Sequence, residues 1–592
     1  MNRHVATRRT HHSHLQLTRQ LACKAMLIVG LSAAAGAATA ASGSAPFCAP
    51  AATTAQTLPW LTDAGAAAAL APARETLLAA YTHGLDPASF NADELEAAAR
   101  ALLARLKANE DFARADDLHA DLRAFNAQMT SAVTCYLAQV RLGMLDPRSL
   151  HKDIDIPARD WSPVEALATA WQERSVPDLL ATTYPTDKQY RELRNTLPLY
   201  RQMAEQEQAS APLTHLPETT LRPGMRDLSV AALRDRLVFL GDMSADERAA
   251  AETLDTILLS ENGSADASNA QILAPLYDEV TERAVRRFQQ RHGLTTDGIV
   301  GAQSLQALST PMYQRVAQIE MAMERLRWLP DLPEHNVVRV NMPEFRLTVS
   351  TGQEELESRV VIGKSVRHPT PIYIGKLKHI EFSPYWNVPW SIAKRELVPA
   401  MMRDLGRMQS NNMEIVTRDG RVHTSASKSL LQQVANGQAR MRQRPGAHNA
   451  LGRYKFVLPN PRGIYLHDTR SVSLFNRDRR DFSHGCVRVE QSLDLARLAL
   501  HGNDGWDQSR LERASRSSKP IYAIPEQAMT VVFTYQTVSV DAEGKTRFLP
   551  DVYGYNPRTV RSVQRWANIN ADNVNATARN SVGGSKLASL NF

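Results

Sequence analysis

The sequence predicts a multidomain α+β protein: a helical N-terminal scaffold and a small three-helix module precede a mostly β domain with an inserted cap subdomain. With 592 residues, the chain is too long for one hydrophobic core. Its 43% hydrophobic and 22% charged residues are typical of globular proteins. Apolar residues recur at helical spacing over about residues 55–225, and they alternate with polar residues from about residue 335 onward.

Residues 1–40 predict a signal peptide. They carry five basic and no acidic residues, followed by the apolar run "AMLIVGLSAAAGAATA". The run ends in Ala38-Thr39-Ala40, the small residues that a signal peptidase prefers. We therefore expect export to a periplasmic space; the run is short for a membrane span, and an uncleaved inner-membrane anchor is the alternative. Removing these five charges from the formal +7 leaves +2, which predicts no nucleic-acid partner.

Residues 41–225 predict a helical scaffold domain without concentrated chemistry. Segments such as "ELEAAARALLARLKANEDFARA" and "DLHADLRAFNAQMTSAVTCYLAQVRLG" show the helical period. Three cysteines follow the signal peptide. In an oxidising compartment two of them can pair, and a bridge between Cys48 and Cys135 would leave Cys486 as the free thiol.

Residues 226–310 predict a small three-helix module with an insertion at about 242–276. The first helix has an apolar face closed by a glycine, formed by Val230, Leu233, Leu237, Leu240 and Gly241. The segment "YDEVTERAVRRFQQRHGLTTDGIVGAQSLQAL" then predicts a second helix that stops at Gly293, followed by a third. This pattern, and its Asp297–Gly301 turn above all, resembles the peptidoglycan-binding module of cell-wall enzymes. A generic helical bundle is the alternative.

A connecting helix at 311–334 leads to the mostly β domain, residues 335–555. In "NVVRVNMPEFRLTVSTG" apolar and polar residues alternate, with turns expected at Pro343-Glu344 and Thr351-Gly352. Further strands are predicted at 357–363, 378–383, 453–458 and 463–467. Residues 393–450 form a helical, polar, Met- and Gln-rich stretch too long for a loop, which predicts an inserted cap. Residues 556–592 predict a polar tail.

The chemistry of the sequence centres on Cys486 in "DFSHGCVRVE". A thiol with a pKa near ~8.5 is mostly protonated at neutral pH, so a nucleophilic cysteine needs a basic partner. His484 is so close along the chain that it is a poor base. His467 lies in "GIYLHDTR", where alternation places it with Tyr465 on the face opposite Ile464 and Leu466. We predict Cys486 as nucleophile and His467 as general base and acid.

Two further groups are expected to stabilise a developing oxyanion. The Tyr465 hydroxyl would point into the same space as His467, and the backbone around Gly485 supplies N–H donors. A zinc site formed by His467, His484 and Cys486 is the rival use of these residues. It lacks a fourth ligand at a recognisable spacing, so we predict neither a metal nor a cofactor.

His467 followed by "SHGCVR" resembles the signature of the L,D-transpeptidase (YkuD-type) catalytic domain. The segments "VNMPEFRLTV", "VVIGKSVRHPTPIY", "FSPYWNVPWSIAKRELVP", "PGAHNALGRYKF" and "IYLHDTRSVSLFNRDRRDFSHGCVRV" are similar to its large, YcbB-like branch. The order of signal, scaffold, module, and β domain with cap is similar too. Many members of this branch have Ser in place of His484, so its role stays open between substrate binding and bracing the loop.

The resemblance implies an ATP-independent acyl transfer between peptidoglycan tetrapeptide stems, which serve as donor and acceptor. Cys486 would attack the L-centre carbonyl of a diaminopimelate–D-alanine bond and release D-Ala, and a neighbouring diaminopimelate amine would resolve the thioester into a 3→3 cross-link. A backbone carbonyl would orient His467. Arg488 is a candidate for holding a substrate carboxylate, and Trp386 for lining the cleft. Carbapenems are implied as covalent inhibitors, and other wall-synthesis enzymes as partners.

Two alternatives remain. The same fold can serve a hydrolase or amidase that cuts stem peptides or wall-attached proteins, with water resolving the thioester. A non-catalytic wall-binding scaffold is the other, and the intact pair of His467 and Cys486 argues against it.

Overall fold

The computed structural model describes residues 57–108, 115–209, 216–217, 219–261, 274–557, 559 and 561. The predicted signal peptide, Cys48 and most of the predicted tail lie outside these residues. Within them, the predicted multidomain α+β class is confirmed. No helix in the described ranges is long and apolar enough to cross a membrane.

The N-terminal region is helical, and its core is built from the apolar residues at helical spacing. Its elements are β1 (Leu61–Thr62), β2 (Gly65–Ala66), α1 (Leu70–Leu78), α2 (Ala92–Lys107), α3 (Ala115–Leu142), α4 (Pro147–Leu150), β3 (Ile154–Asp155), α5 (Pro163–Gln172), α6 (Val176–Thr182) and α7 (Lys188–Ala209). Trp60 is fully buried, and its indole N–H donates to Thr130 on α3 at 2.9 Å. Cys135 is disulfide-bonded, but its predicted partner Cys48 is outside the described residues.

The described residues of the module form four helices, α8 (Ser229–Phe239), α9 (Ala245–Glu261), α10 (Glu279–Arg291) and α11 (Ala302–Leu308). The three predicted helices are α8, α10 and α11, and α9 lies in the predicted insertion. Gly241 and Gly293 follow α8 and α10 with φ of 77° and 60°, the left-handed conformation that ends helices. In the turn before α11, the Gln289 side chain accepts a hydrogen bond from Gly298 N at 2.8 Å.

The connecting helix, α12 (Met312–Arg327), packs against α7 and joins the N-terminal region to the β domain. Its charged residues Glu324 and Arg327 are fully buried and paired at 2.9 Å. Glu324 also accepts hydrogen bonds from Met144 N and the Trp328 indole, at 2.8 and 3.0 Å. These contacts satisfy the buried charges and hold α12 against the N-terminal region.

The β domain is built on one large sheet. Its strands are β4 (Val337–Asn341), β5 (Arg346–Ser350), β6 (Glu355–Gly363), β7 (Ile372–Lys376), β8 (His379–Phe382), β13 (Tyr454–Val457), β14 (Tyr465–His467), β15 (Asp481–Ser483), β16 (Val487–Val489), β17 (Ile521–Ala523) and β18 (Thr530–Thr534). The order is β17-β8-β13-β14-β16-β6-β5-β4-β18-β7-β3, with β15 beside β6. The N-terminal strand β3 thus completes this sheet, pairing in parallel with β7.

The sequence-predicted strands are confirmed. β4, β5 and β6 form successive antiparallel pairs whose turns lie at the predicted Pro343-Glu344 and Thr351-Gly352. The domain also contains α17 (Ser492–Ala499) and α18 (Gln508–Ser515), and a small hairpin of β19 (Val538–Val540) and β20 (Thr546–Phe548).

The inserted segment differs from the helical stretch that the sequence predicts. It contains helices α13 (Trp390–Ile392), α14 (Val398–Arg403), α15 (Arg407–Ser410) and α16 (Lys428–Ala435), but also a sheet of β9 (Trp386–Asn387), β10 (Met413–Thr417), β11 (Val422–His423) and β12 (Ala439–Gln443), in the order β11-β10-β12-β9. β12 reads ARMRQ and has no β-branched residue, so it lacks the composition that marks a strand in sequence, whereas β10 reads MEIVT and has three. A π-helical turn, Ala393–Leu397, precedes α14, whose Pro399 has no N–H for an ordinary helical bond.

Candidate active site

Two adjacent parallel strands bring the predicted site residues together. β14 and β16 pair in parallel, with Leu466 opposite Val487 and His467 opposite Arg488. Neighbours in register on parallel strands point to the same side, so Leu466 and Val487 share the buried face. The opposite face carries His467 and Arg488. Two residues earlier along each strand, and so on the same face, Tyr465 stands beside Cys486.

The row of His467 and Arg488 extends across the neighbouring strands. Lys455 on β13 pairs with His467, and Glu381 on β8 pairs with Lys455. Four charged or titratable side chains from four consecutive strands therefore line up on one face: Glu381, Lys455, His467 and Arg488. The Lys455 ammonium lies 3.2 and 3.3 Å from the two Glu381 carboxylate oxygens.

The Cys486 thiol is free, half-buried and surrounded by hydrogen-bonding groups. Its Sγ donates to the Gly463 carbonyl at 3.8 Å, and the Tyr465 backbone N–H and hydroxyl bond to the sulfur. Burial raises the pKa of Cys486 to about 11, although the bonds from Tyr465 and the charges of Lys455 and Arg488 lower it. The resting group at neutral pH is therefore the thiol, not the thiolate.

The His467 ring is buried and neutral. Its Nδ1 lies 2.5 Å from the backbone carbonyl of Asp468, and because a carbonyl only accepts, Nδ1 carries the proton and Nε2 is the basic nitrogen. Burial, and then the charge of Arg488, lowers the pKa of His467 to about 3. The Asp468 carboxylate instead accepts from Arg453 N at 2.8 Å. The orienting group is thus a backbone carbonyl, as the resemblance implies.

His467 and Cys486 are diagonal neighbours on the shared face, the arrangement in which side chains of adjacent strands reach one another. No hydrogen bond joins them in the described residues, because the thiol is turned toward Gly463. Proton transfer to His467 therefore requires the Cys486 side chain to rotate away from that carbonyl.

The loop that carries Cys486 is held by Ser483 and two glycines. The Ser483 hydroxyl donates to the Cys486 carbonyl at 2.5 Å and accepts from Gly485 N at 3.1 Å. Gly485 has φ of 113°, a conformation that side chains other than glycine rarely adopt, and its carbonyl accepts from Thr370 Oγ1 at 2.8 Å. A Cβ on Gly363 would lie only 2.9 Å from the Gly485 Cα, so the loop packs directly on the end of β6.

Arg488 lies beside the thiol without a carboxylate partner among the described residues. Its Nε is buried and has no hydrogen-bond acceptor, and burial lowers the pKa of the guanidinium. A buried cation without a partner is costly. Arg488 is therefore placed to receive an anionic group from a ligand, as the sequence predicts.

Tyr465 connects the thiol to Trp386. The Trp386 side chain hydrogen-bonds to Tyr465, and burial keeps the pKa of this tyrosine well above its usual value. Trp386 begins β9, so it belongs to the sheet of the inserted segment. The structure therefore places Tyr465 at the thiol and Trp386 one hydrogen bond farther away.

His484 contacts the π-helical turn of the inserted segment. Its Nε2 lies 2.8 Å from a Glu396 carboxylate oxygen on the π-helical turn, and its ring lies 4.8 Å from that of His368. The residue thus links the catalytic loop to the inserted segment, which favours bracing over substrate binding. No cluster of three His, Cys, Asp or Glu side chains within the described ranges could hold a metal ion.

Sequence reasoning missed four residues of the site: Glu381, Lys455, Gly363 and Glu396. The alternation in "GRYKFVLP" places Lys455 on the face opposite Phe456, which is the signal that could have found it. The sequence does not show that Lys455 pairs with His467, because this register depends on how the two strands pair.

Three regions of the chain match known protein families. Residues 335–508 match the YkuD family, described as "L,D-transpeptidase catalytic domain". Residues 263–308 match a family described as "Putative peptidoglycan binding domain", and residues 52–197 match one described as "Scaffold domain". A Haemophilus influenzae protein named "Putative L,D-transpeptidase" is 37% identical over 240 residues, which are 40% of this chain. The match spans about half of that relative, 48% of its length.

Proposed function

We propose that this protein, whose residues 335–508 form an L,D-transpeptidase catalytic domain, is a cysteine-dependent transpeptidase that joins peptidoglycan stem peptides. The observation that carries the proposal is the shared face of β14 and β16, where Tyr465, His467, Cys486 and Arg488 lie together. This face holds a nucleophile, a neutral base, a hydroxyl donor and an unpartnered cation. An acyl transfer that begins and ends with a neutral enzyme needs these four groups.

In the first half-reaction, His467 Nε2 takes the thiol proton and Cys486 Sγ attacks the carbonyl of the diaminopimelate–D-alanine bond. The oxyanion that forms is stabilised by the Tyr465 hydroxyl and by backbone N–H groups at the Gly485 turn. The protonated His467 then donates to the leaving nitrogen, and D-Ala departs. The product is a thioester between the stem peptide and Cys486.

In the second half-reaction, the side-chain amine of a neighbouring diaminopimelate attacks the thioester. His467 accepts the amine proton and returns it to the Cys486 sulfur as the 3→3 amide bond forms. Arg488, which lacks a carboxylate partner in the described part of the chain, binds a stem carboxylate throughout. Carbapenems, whose strained amide mimics the donor, are expected to acylate the same thiol.

The proposed substrate indicates in which compartment the protein acts. Peptidoglycan lies outside the cytoplasmic membrane, so the predicted export signal at residues 1–40 and a periplasmic location belong to the same proposal. The disulfide at Cys135 supports an oxidising environment.

The test is incubation of the protein with purified disaccharide-tetrapeptide, followed by mass spectrometry. A cross-linked dimer with loss of D-Ala supports transpeptidation. A shortened monomer without dimer would instead identify the hydrolase that shares this fold, and no conversion would contradict both. Cys486→Ala is expected to abolish conversion, whereas Cys135→Ala changes a cysteine remote from the site and should retain it.

A further inference from the structure

A buried ion pair lies next to the proposed catalytic residues, and the reaction described above does not use it. Lys455 and Glu381 stand in register on β13 and β8, and their side chains are only 17% and 16% exposed. Ion pairs at the protein surface are screened by water, and a pair with this little exposure is screened less. Its two charges therefore affect the titration and polarity of groups on the same face.

The position of Lys455 relative to the site is defined by two contacts. Its backbone pairs with His467, so both side chains point to the same face. Its Nζ lies 5.0 Å from the centroid of the Tyr465 ring, within the range of a cation–π contact. Tyr465 in turn hydrogen-bonds to the Cys486 sulfur. Lys455 thus contacts the residue that contacts the thiol.

Glu381 determines where the Lys455 ammonium is held. Both of its carboxylate oxygens contact Nζ, at 3.3 and 3.2 Å, and one also lies 3.4 Å from His379 Nε2. The carboxylate fixes the ammonium under the Tyr465 ring, but its own negative charge opposes the effect of Lys455 on the thiol. The two residues therefore act on Cys486 in opposite directions.

We infer that Lys455 is a positioning residue whose ammonium, held by Glu381, fixes the Tyr465 ring and stabilises negative charge at Cys486 Sγ. A cation against the ring also makes the Tyr465 hydroxyl a stronger donor to that charge. The effect on the thiol follows from the structure alone, whereas a role in turnover rests on the proposed function. Lys455 touches no reacting atom.

The charges around Cys486 agree with this role. Lys455 is one of two cations that lower the pKa of the thiol, together with Arg488. Glu381 carries the opposite charge, and it raises the pKa of the neighbouring Tyr465. Lys455 also lowers the pKa of His467, which keeps the imidazole neutral and able to accept a proton.

The test measures alkylation of Cys486 by iodoacetamide at pH 8 in the whole protein, with the modified peptide quantified by mass spectrometry. Only the thiolate reacts, so a pKa change of one unit changes the rate about tenfold. Lys455→Met is expected to slow alkylation by about tenfold, and Lys455→Arg to retain most of the rate. Glu381→Gln is expected to accelerate it. Lys378→Met removes an exposed lysine near the start of β8 and serves as the matched control.

The opposite changes in alkylation rate expected for Lys455→Met and Glu381→Gln distinguish this role from a structural one. Damage to the sheet would shift Lys455→Met and Glu381→Gln in the same direction, and that result, or an unchanged rate in Lys455→Met, would overturn the inference. The catalytic part has a separate readout: Lys455→Met should lower kcat for tetrapeptide conversion about tenfold with a smaller change in KM. If wild-type protein converts no tetrapeptide, the proposed function fails while the alkylation result still decides the role of Lys455.

Discussion

At the scale of single residues, the site combines a protonated thiol with a neutral imidazole. Burial keeps Cys486 protonated, with a pKa of about 11, and keeps His467 neutral, with a pKa of about 3. Many cysteine enzymes rest as a thiolate–imidazolium pair. Here both groups rest neutral, so the proposed function requires the thiol to turn toward His467 when a substrate carbonyl is bound.

This resting state predicts the pH dependence of alkylation of Cys486 by a small neutral reagent. Because the thiolate fraction rises tenfold per pH unit below the pKa, the rate should increase steadily from pH 7 to pH 10. Stopped-time alkylation with mass spectrometry measures this profile. A rate that levels off below pH 9 would instead indicate a preformed ion pair with His467.

At the scale of elements, the loop that carries Cys486 packs on the end of β6. Ser483 closes the loop, and Thr370, after β6, donates to the Gly485 carbonyl at 2.8 Å. The loop thus depends on packing against residues 363–370. From the other side it contacts the π-helical turn through His484 and Glu396.

The substitution Gly363→Ala tests this support. An added Cβ would lie 1.9 Å from the His368 carbonyl oxygen and 2.8 Å from Thr370 N, which are backbone atoms that cannot move alone. We expect a loss of about 1–3 kcal/mol in the free energy of unfolding and a larger loss of transpeptidation. Urea denaturation and turnover measure the two effects.

Gly301→Ala is the matched control, because its Cβ would meet nothing within 4 Å and its φ of −91° suits alanine. Its free energy of unfolding should change by less than about 0.5 kcal/mol. Equal behaviour of the two variants would contradict the tight packing of the loop on β6.

The sequence alone predicts the helices and strands with clear periodicity and the motif around Cys486. It does not predict how strands that are distant along the chain pair. Alternation placed Tyr465 and His467 on one face, and the structure has them there. The row from Glu381 to Arg488 depends on pairing between residues 74 positions apart along the chain, which no local pattern encodes. In the inserted segment, β12 was missed because it has no β-branched residue and its buried Met441 is equally compatible with a helix, whereas the MEIVT of β10 did carry a readable strand signal.

At the scale of the whole molecule, the regions are joined by buried polar contacts. On α12, Glu324 accepts a hydrogen bond from Met144 N of the N-terminal region and Arg325 donates to Thr537 of the β domain, and β3 extends the main sheet. The module contacts the segment between β14 and β15, where Thr295 donates to Asp478 at 2.8 Å. The module, which matches one family described as "Putative peptidoglycan binding domain", is thereby held against the segment that links His467 to the Cys486 loop.

Three buried histidines predict that the molecule loses stability in mild acid. Burial lowers the pKa of His83 and His467 to about 3, and that of His292 well below its usual value. Unfolding returns each pKa to about 6.5, so the unfolded chain binds more protons below that pH. Their contribution to stability is complete above pH 6.5 and decreases as the pH falls toward 3.

Urea unfolding between pH 7 and pH 5 measures this effect, since most carboxylates stay ionised in that range. The free energy of unfolding should decrease as the pH falls, and His83→Gln should reduce the slope by about one proton. A free energy that is constant over this range would contradict the buried neutral state of these rings.

The central claim is that Cys486 forms a thioester with the donor stem. Intact-protein mass spectrometry after rapid mixing with a tetrapeptide stem tests it most directly. The account predicts a mass increase equal to the stem peptide without its terminal D-Ala, located on Cys486 and absent from Cys486→Ala, with accumulation strongly slowed in His467→Ala. Release of D-Ala by Cys486→Ala, or an adduct on another residue, would contradict it.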